Sequence, residues 1–317
     1  MNDRRQTPVN NIICIAGPTA SGKTALAVEI AKRFNGEVVS CDSMYVYRRM
    51  NIGTAKPTEE EMGGIVHHMI DVCEPDREFS VSKYCDMATP IVDDIISRGK
   101  TAVIAGGTGL YMDSLIKGND FAPAHSPEIR ARLEEKAETV GFDGMLAELM
   151  AIDPEYAETL HDTRRIIRAL EVFYNTGLTM TEHNKRTAQI PPKYTPLWLG
   201  LNFTDRADLY ARINRRVDVM LEMGLMKEIR ELLDSGIPRK CTAMQAIGYK
   251  EFVDVLDGRC TMEEAVENVK MFSRRYGKRQ LSWFRRNPNI HWILRTPETP
   301  AGEIIDRACR IIRDFDN

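Results

Sequence analysis

Residues Gly17–Thr24 read GPTASGKT, a complete G-x-x-x-x-G-K-[ST] pattern, and they follow directly on the apolar run Asn11–Ala16, NIICIA. This pattern commits the chain to one local construction: a buried strand, a tight loop whose backbone N–H groups turn inward, and a helix opening at Lys23. Gly17, Pro18, Thr19, Ala20, Ser21 and Gly22 line such a loop, Lys23 supplies a movable cation, and the Thr24 hydroxyl can ligate Mg²⁺. The loop specifies a polyphosphate. It leaves the reaction open.

The rest of the chain supports a sheet around that unit. Glu37–Asp42 (EVVSCD), Thr101–Ala105 (TAVIA), Leu197–Phe203 (LWLGLNF) and Ile290–Leu294 (IHWIL) are short, β-rich runs of the kind covered on both faces. Helical patterns alternate with them at Lys23–Phe34 and Ser80–Arg98, which predicts an α/β fold with a parallel sheet flanked by helices. From Ser126 to about His183 the sequence is helix-prone without a strand. The economical reading is a P-loop core made of residues 1–122 and 188–317, with an inserted all-helical domain at 123–187. One long amphipathic helix is expected over Arg206–Ser235, and Thr261 with Glu264 forms a T-x-x-E capping box opening another that reaches Arg286.

The 317 residues suffice for a large core without staples, and 43% hydrophobic with 28% charged residues is an ordinary globular balance. Seven cysteines without a C-x-x-C pair fit neither a disulfide framework nor a zinc site, and six histidines lack ligand spacing, His67-His68 reading as packing or a polar loop. With neither an apolar signal core nor a membrane-length run, a cytoplasmic protein off the membrane is expected, with a monomer as the default. A net charge of −3 confines any nucleic-acid binding to local clusters.

An ATPase would need an acid at the end of a neighbouring strand, yet Thr101–Ala105 runs into Gly106-Gly107-Thr108-Gly109. The strand-end acid nearest the loop in sequence is Asp42, where a parallel sheet opens its ligand crevice. Capping the following turn is the alternative role for Asp42. Near the C-terminus, Arg274–Arg286 (RRYGKRQLSWFRR) holds six cations and no acid, interleaved with Tyr276, Trp283 and Phe284. Cations neutralise phosphates while aromatics stack on unpaired bases, although Trp283 reads equally well as core.

GPTASGKT, DSMYVYRRMNIGTAKP, GGTGLYMDSL, RRIIRALEVFYNTG, AIGYKE and KRQLSWFRR, in this order and spacing, resemble the tRNA dimethylallyltransferases over Gly17–Arg286. The resemblance implies transfer of a dimethylallyl group from dimethylallyl diphosphate to the N6 amine of adenine 37, beside the tRNA anticodon. In that chemistry the loop grips the departing diphosphate, Mg²⁺ assists, and no phosphoryl group moves. It assigns Asp42 as the base for the amine, Thr108 as a contact beside it, Lys23 and Gly17–Thr24 to the diphosphate, and Arg216, in preference to Arg212, as a further diphosphate ligand. For the anticodon arm it points to Asp42, Ser43, Met44, Tyr45, Thr108, Arg130, Arg164, Arg165, Ile166, Ile167 and Arg168. It adds Gln245, Ala246, Ile247, Gly248, Tyr249 and Lys250, and Lys278, Arg279, Gln280, Leu281, Ser282, Trp283, Phe284 and Arg285. Three other readings stay open on the residues alone: a P-loop kinase of a small metabolite with Asp42 as acceptor base, an isopentenyltransferase acting on free adenine nucleotide, and a non-catalytic RNA-binding module, which would not need a diphosphate loop.

Overall fold

The computed structural model describes residues 11–118 and 126–315; the expected 122/123 boundary, His125 and the first ten residues lie outside them. In chain order the elements are β1 (Ile12–Ala16), α1 (Lys23–Arg33), β2 (Gly36–Ser40), α2 (Glu59–Met62), β3 (His67–His68), α3 (Val81–Ser97), β4 (Thr101–Ala105) and α4 (Gly109–Lys117). There follow α5 (Pro127–Ile152), α6 (Pro154–Ala157), α7 (Thr163–Thr176) and α8 (Met180–Ala188). The chain ends with β5 (Leu197–Phe203), α9 (Arg206–Glu222), α10 (Leu225–Asp234), α11 (Lys250–Leu256), α12 (Met262–Phe284), β6 (Ile290–Arg295) and α13 (Ala301–Phe315).

The six strands form one parallel sheet in the order β3-β2-β4-β1-β5-β6. β1 and β5 are buried along their whole length, as their unbroken apolar runs require of central strands. Leu26, Ala27 and Ile30 of α1 and Ile304, Ala308 and Ile312 of α13 cover one face together with Ile13, Ile15, Leu199 and Ile293. A second cluster joins Val46, Tyr47 and Met50 to Leu225, Ile229, Tyr249, Phe252, Ala265 and Val269. It binds the segment after β2 to the C-terminal helices.

The chain divides into two compact units, one of residues up to Ile116 and from Tyr194 onward, the other Lys117–Lys193. Within the second, α5 packs on α7 through Leu133, Met145, Leu149, Ile166, Ile167 and Leu170. Among the described residues no helix is long and apolar enough to cross a membrane, and all seven cysteines are free.

Two expectations are corrected. The helix expected over 206–235 is two helices, because Gly224 takes a φ of 97° and becomes the N-terminal cap of α10. A left-handed residue cannot continue an α-helix, so the chain turns there. His67-His68 is a short strand paired with Val38 and Val39, not a loop, and His68 Nε2 lies 2.8 Å from the buried Glu37 carboxylate. The capping box at Thr261 and Glu264 forms as the sequence indicates.

Candidate active site

The phosphate loop grows out of β1 as its sequence requires. Gly22, with a φ of 101°, caps α1 in a conformation that only glycine adopts freely, so the loop amides and the helix N-terminus converge. Lys23 Nζ donates to the Pro18 carbonyl at 2.7 Å and lies folded over the loop. Arg212 and Arg216, one turn apart on α9, both reach the loop: Arg212 Nε donates to the Ala20 carbonyl at 3.1 Å, and Arg216 to Thr19 Oγ1 at 3.1 Å. The resemblance singled out Arg216; the structure brings Arg212 to the same loop.

Asp42 stands two residues beyond β2. The Cys41 N–H donates to the Ala105 carbonyl at 2.8 Å, so β2 and β4 end side by side, with Asp42 facing the crevice and the Gly106–Thr108 turn next to it. Its Oδ1 accepts the Met44 N–H at 2.9 Å. The turn-capping role and the crevice position therefore coexist. Thr108 Oγ1 accepts the Ser43 N–H at 3.0 Å and lies 3.3 Å from Ser43 Oγ, which stitches the acceptor turn to the residue after Asp42.

The electrostatics follow from this crowding. Burial, and next the Arg216 charge, push the Lys23 pKa down to about 7, against a smaller opposing pull from Asp42. Burial raises the Asp42 pKa, while the Met44 N–H, the Lys23 ammonium, the Tyr45 N–H and Arg216 draw it back. Each group is thus displaced toward the other's titration range, the pattern of an acid–base site.

Loop, arginines and Asp42 open into one cavity of about 550 Å³. Its lining combines the polar Thr19, Lys23, Thr24, Arg212 and Arg216 with the apolar Ile213, Val217, Met220, Ile247 and Val269. A diphosphate with a small hydrocarbon tail matches that combination of cationic and apolar lining. Gly53, Thr54 and Ala55 form another wall, held by the buried Glu228, which accepts the N–H groups of Asn51, Ile52 and Gly53 at 2.9, 2.7 and 3.1 Å and the Tyr249 hydroxyl at 2.7 Å. Glu228→Ala strips the acceptor from four donors at once, at about 1–3 kcal/mol for each one left unsatisfied. Allowing for water entry at the exposed ones, denaturant unfolding is expected to show a loss of about 2 kcal/mol or more; an unchanged midpoint contradicts this account of the wall.

Several residues of the expected RNA-facing segments sit elsewhere. Ile166 and Ile167 are core of the inserted unit, and Arg164 and Arg165 are the exposed members of that stretch. Arg130 and Arg168 are half-buried, with Arg168 donating to the fully buried Glu171 at 3.0 Å and Arg130 lying 3.8 Å from the same oxygen. Tyr249 is buried on Glu228, and Leu281 and Phe284 are buried on the inner face of α12. Trp283 is half-buried, donates to Asp113 Oδ2 at 2.8 Å and packs against Gly109, where a Cβ would lie 2.2 Å from its ring, so its indole is held by the fold. The helical period explains these corrections: a contiguous block on a helix alternates between solvent and core. Lys278, Ser282 and Arg285 are exposed on the outer face of α12, Arg279 is exposed at the cavity rim, Gln245 is exposed, and Ser43, Met44, Tyr45 and Gln245–Gly248 line the cavity. Lys250 is half-buried over the Phe272 ring.

Two residues that the sequence reading turned toward RNA, Tyr276 among the interleaved aromatics and Gln280 in the basic segment, belong to the site itself. Tyr276 lines the cavity, and burial with the nearby Asp42 charge raises its pKa. Gln280, expected to face RNA, turns inward to the loop. Their place on a basic, aromatic helix masked them.

Comparisons with known proteins agree with this geometry. Residues 45–287 match the family model of the IPP transferases. A tRNA dimethylallyltransferase of Thermoanaerobacter sp. is 49% identical over 285 residues, covering 89% of this chain and 90% of the relative; one from Acetivibrio thermocellus is 46% identical over 288 residues, covering 90% and 92%. The crystal structure of the full-length tRNA isopentenylpyrophosphate transferase from Bacillus halodurans superposes with a TM-score of 0.72 at 42% identity, covering 96% of this chain and 97% of that one. A eukaryotic dimethylallyltransferase acting on tRNA gives 0.82 at 30% identity, covering 96% and 79%. With the family model matching residues 45–287 and relatives 46–49% identical over about nine-tenths of the chain, this chain belongs to the tRNA dimethylallyltransferase family.

Proposed function

We propose that the chain transfers the dimethylallyl group of dimethylallyl diphosphate to the N6 amine of adenine 37 in the tRNA anticodon arm. The observation that carries this reading is a single cavity lined by the phosphate loop with Lys23, Arg212 and Arg216, by apolar side chains such as Val217, Met220 and Val269, and by the carboxylates of Asp42 and Glu61, of which Asp42 follows β2 beside the Gly106–Thr108 turn. The amine lone pair forms the new N–C bond as the C–O bond breaks, and the electron pair leaves with the diphosphate. Loop amides, Lys23, Arg212 and Arg216 meet charge that grows on the departing oxygens, so they favour the transition state over the ground state. Asp42 accepts the hydrogen bond of the amine and then its proton, which offsets the weak nucleophilicity of an aromatic amine. The Thr108 hydroxyl, fixed by Ser43, orients that exchange.

Among the described residues no three His, Cys, Asp or Glu side chains group to hold a metal. Mg²⁺ suits such a site, since it binds through few protein ligands and the oxygens of its phosphate partner. Thr24 would hold it, and it would supply charge neutralisation on the leaving diphosphate. The same reading has the enzyme working on RNA in the cytoplasm as a monomer, a state that light scattering tests.

Mass analysis of nucleosides from unmodified tRNA incubated with protein, Mg²⁺ and dimethylallyl diphosphate is expected to show N6-isopentenyladenosine. With AMP added to the same mixture, unchanged tRNA alongside prenylated AMP would instead assign the activity to the nucleotide-directed alternative.

A pH dependence follows from the two displaced groups. Asp42 must be ionised to take a proton, so kcat/KM rises through a pKa above the ordinary carboxylate value. Lys23 must be charged to attract the donor, so kcat/KM for the donor falls above about 7. The profile is bell-shaped. Lys23→Arg removes the falling limb because a guanidinium does not titrate there. A profile that keeps rising through pH 9 in the unsubstituted protein, about two units above the Lys23 value, contradicts the assignment.

A further inference from the structure

Helix α12 has two faces that meet different surroundings. Arg275, Lys278, Arg279, Ser282 and Arg285 are exposed on one. On the other, Gly277 and Gln280, one turn apart, meet the machinery of the cavity. A Cβ at Gly277 would lie 3.2 Å from Ile213 and 3.8 Å from Pro18, so the helix backbone rests on α9 and the phosphate loop. Gln280 is 5% exposed. Its Oε1 accepts the Thr19 N–H at 2.8 Å, and its Nε2 donates to the Gly107 carbonyl at 2.9 Å. Thr19 carries the contact onward, its hydroxyl accepting from Arg216. Gly107 admits the amide because it has no side chain, a Cβ there falling 2.1 Å from Nε2. One rigid amide therefore joins the cationic helix to the diphosphate loop and to the turn that carries Thr108.

We propose that Gln280 is a positioning residue that couples occupancy of the cationic face of α12 by RNA to the affinity of the phosphate loop for diphosphate. The inference rests on the prenyl-transfer reading and adds a route between its two substrates. RNA phosphates drawn to Lys278, Arg279 and Arg285 fix the helix, and Gln280 passes that placement to Thr19 on one side and Gly107 on the other. Only an amide can hold both partners, because it donates to one and accepts from the other through a single planar group. A hydrocarbon of the same length would fill the space and leave a buried N–H and a buried C=O unpaired, while a carboxylate would repel the Gly107 carbonyl. Coupling between two ligands is reciprocal, so diphosphate must strengthen RNA binding by the same factor.

The test measures the affinity of inorganic diphosphate by calorimetry, with Mg²⁺ present, alone and with a saturating unmodified anticodon stem–loop. The unsubstituted protein is expected to bind diphosphate about fivefold or more tightly when RNA is present. In Gln280→Met that ratio falls to about one, whatever happens to either affinity by itself. Gly107→Ala should abolish the ratio from the opposite side by displacing the amide. In a Gln280→Ala background, where the space is free, Gly107→Ala should change nothing further. A simple structural role would weaken both measurements equally and leave the ratio intact, and that result overturns the proposal. So does a ratio of one in the unsubstituted protein when both ligands bind. If the unsubstituted protein bound neither diphosphate nor RNA, the prenyl-transfer reading would fall, and the coupling with it.

Discussion

Asp42→Asn is expected to lower kcat for prenyl transfer by about a hundred- to ten-thousand-fold, the range over which a positioned general base contributes, while tRNA affinity stays close to that of the unsubstituted protein. Asparagine keeps the shape of the side chain and can still accept the Met44 N–H that holds the turn. What it loses is the capacity to take a proton. The substitution therefore separates chemistry from folding: the residual rate should no longer show the ascending limb of the pH profile, because the group responsible for it has gone. Near-normal turnover in this variant removes Asp42 from the mechanism and leaves it only its turn-capping role.

Lys23→Ala should have an effect of similar size on a different parameter. The ammonium lies inside the loop, 2.7 Å from the Pro18 carbonyl, where burial and, after it, the Arg216 charge lower its pKa. A cation so placed waits for an anion to relieve that crowding. Its removal is expected to raise the donor KM and also to slow diphosphate departure. Together these reduce kcat/KM by about a hundred- to a thousand-fold, as for loss of one preorganised donor at a developing negative charge. A change in KM alone would mean that Lys23 binds donor and transition state equally. An unaffected kcat/KM would mean that the loop holds something other than the leaving group.

The parts of this site that sequence made legible are those whose determinants are local. A strand, a glycine loop and a helix opening at Lys23 lie within a dozen or so residues, and Asp42 follows its strand so closely that the parallel sheet alone places it at the crevice. The expected strands at Thr101–Ala105 and Leu197–Phe203 form with those bounds because strands buried on both faces need mostly continuous apolar runs. Contacts across hundreds of residues left no such trace. Gln280 and Thr19 are 261 positions apart, and nothing in KRQLSWFRR distinguishes an amide turned to the loop from one turned to RNA. Arg212 and Arg216 share a helix face in sequence, and only the docking of α9 against the loop shows that both reach it. The break at Gly224 was hidden by apolar residues that keep helical spacing on either side, since an isolated glycine does not by itself end such a pattern.

The central claim is that the loop holds a diphosphate that departs from carbon, and that no phosphoryl group is transferred. Its most direct test is a double-label incubation of the protein with unmodified tRNA, Mg²⁺, carbon-labelled dimethylallyl diphosphate and γ-labelled ATP. The account predicts that carbon label enters the tRNA, that one inorganic diphosphate appears for every group incorporated, and that the ATP label stays where it began. Phosphorus label delivered to any acceptor, with the prenyl donor untouched, would contradict it.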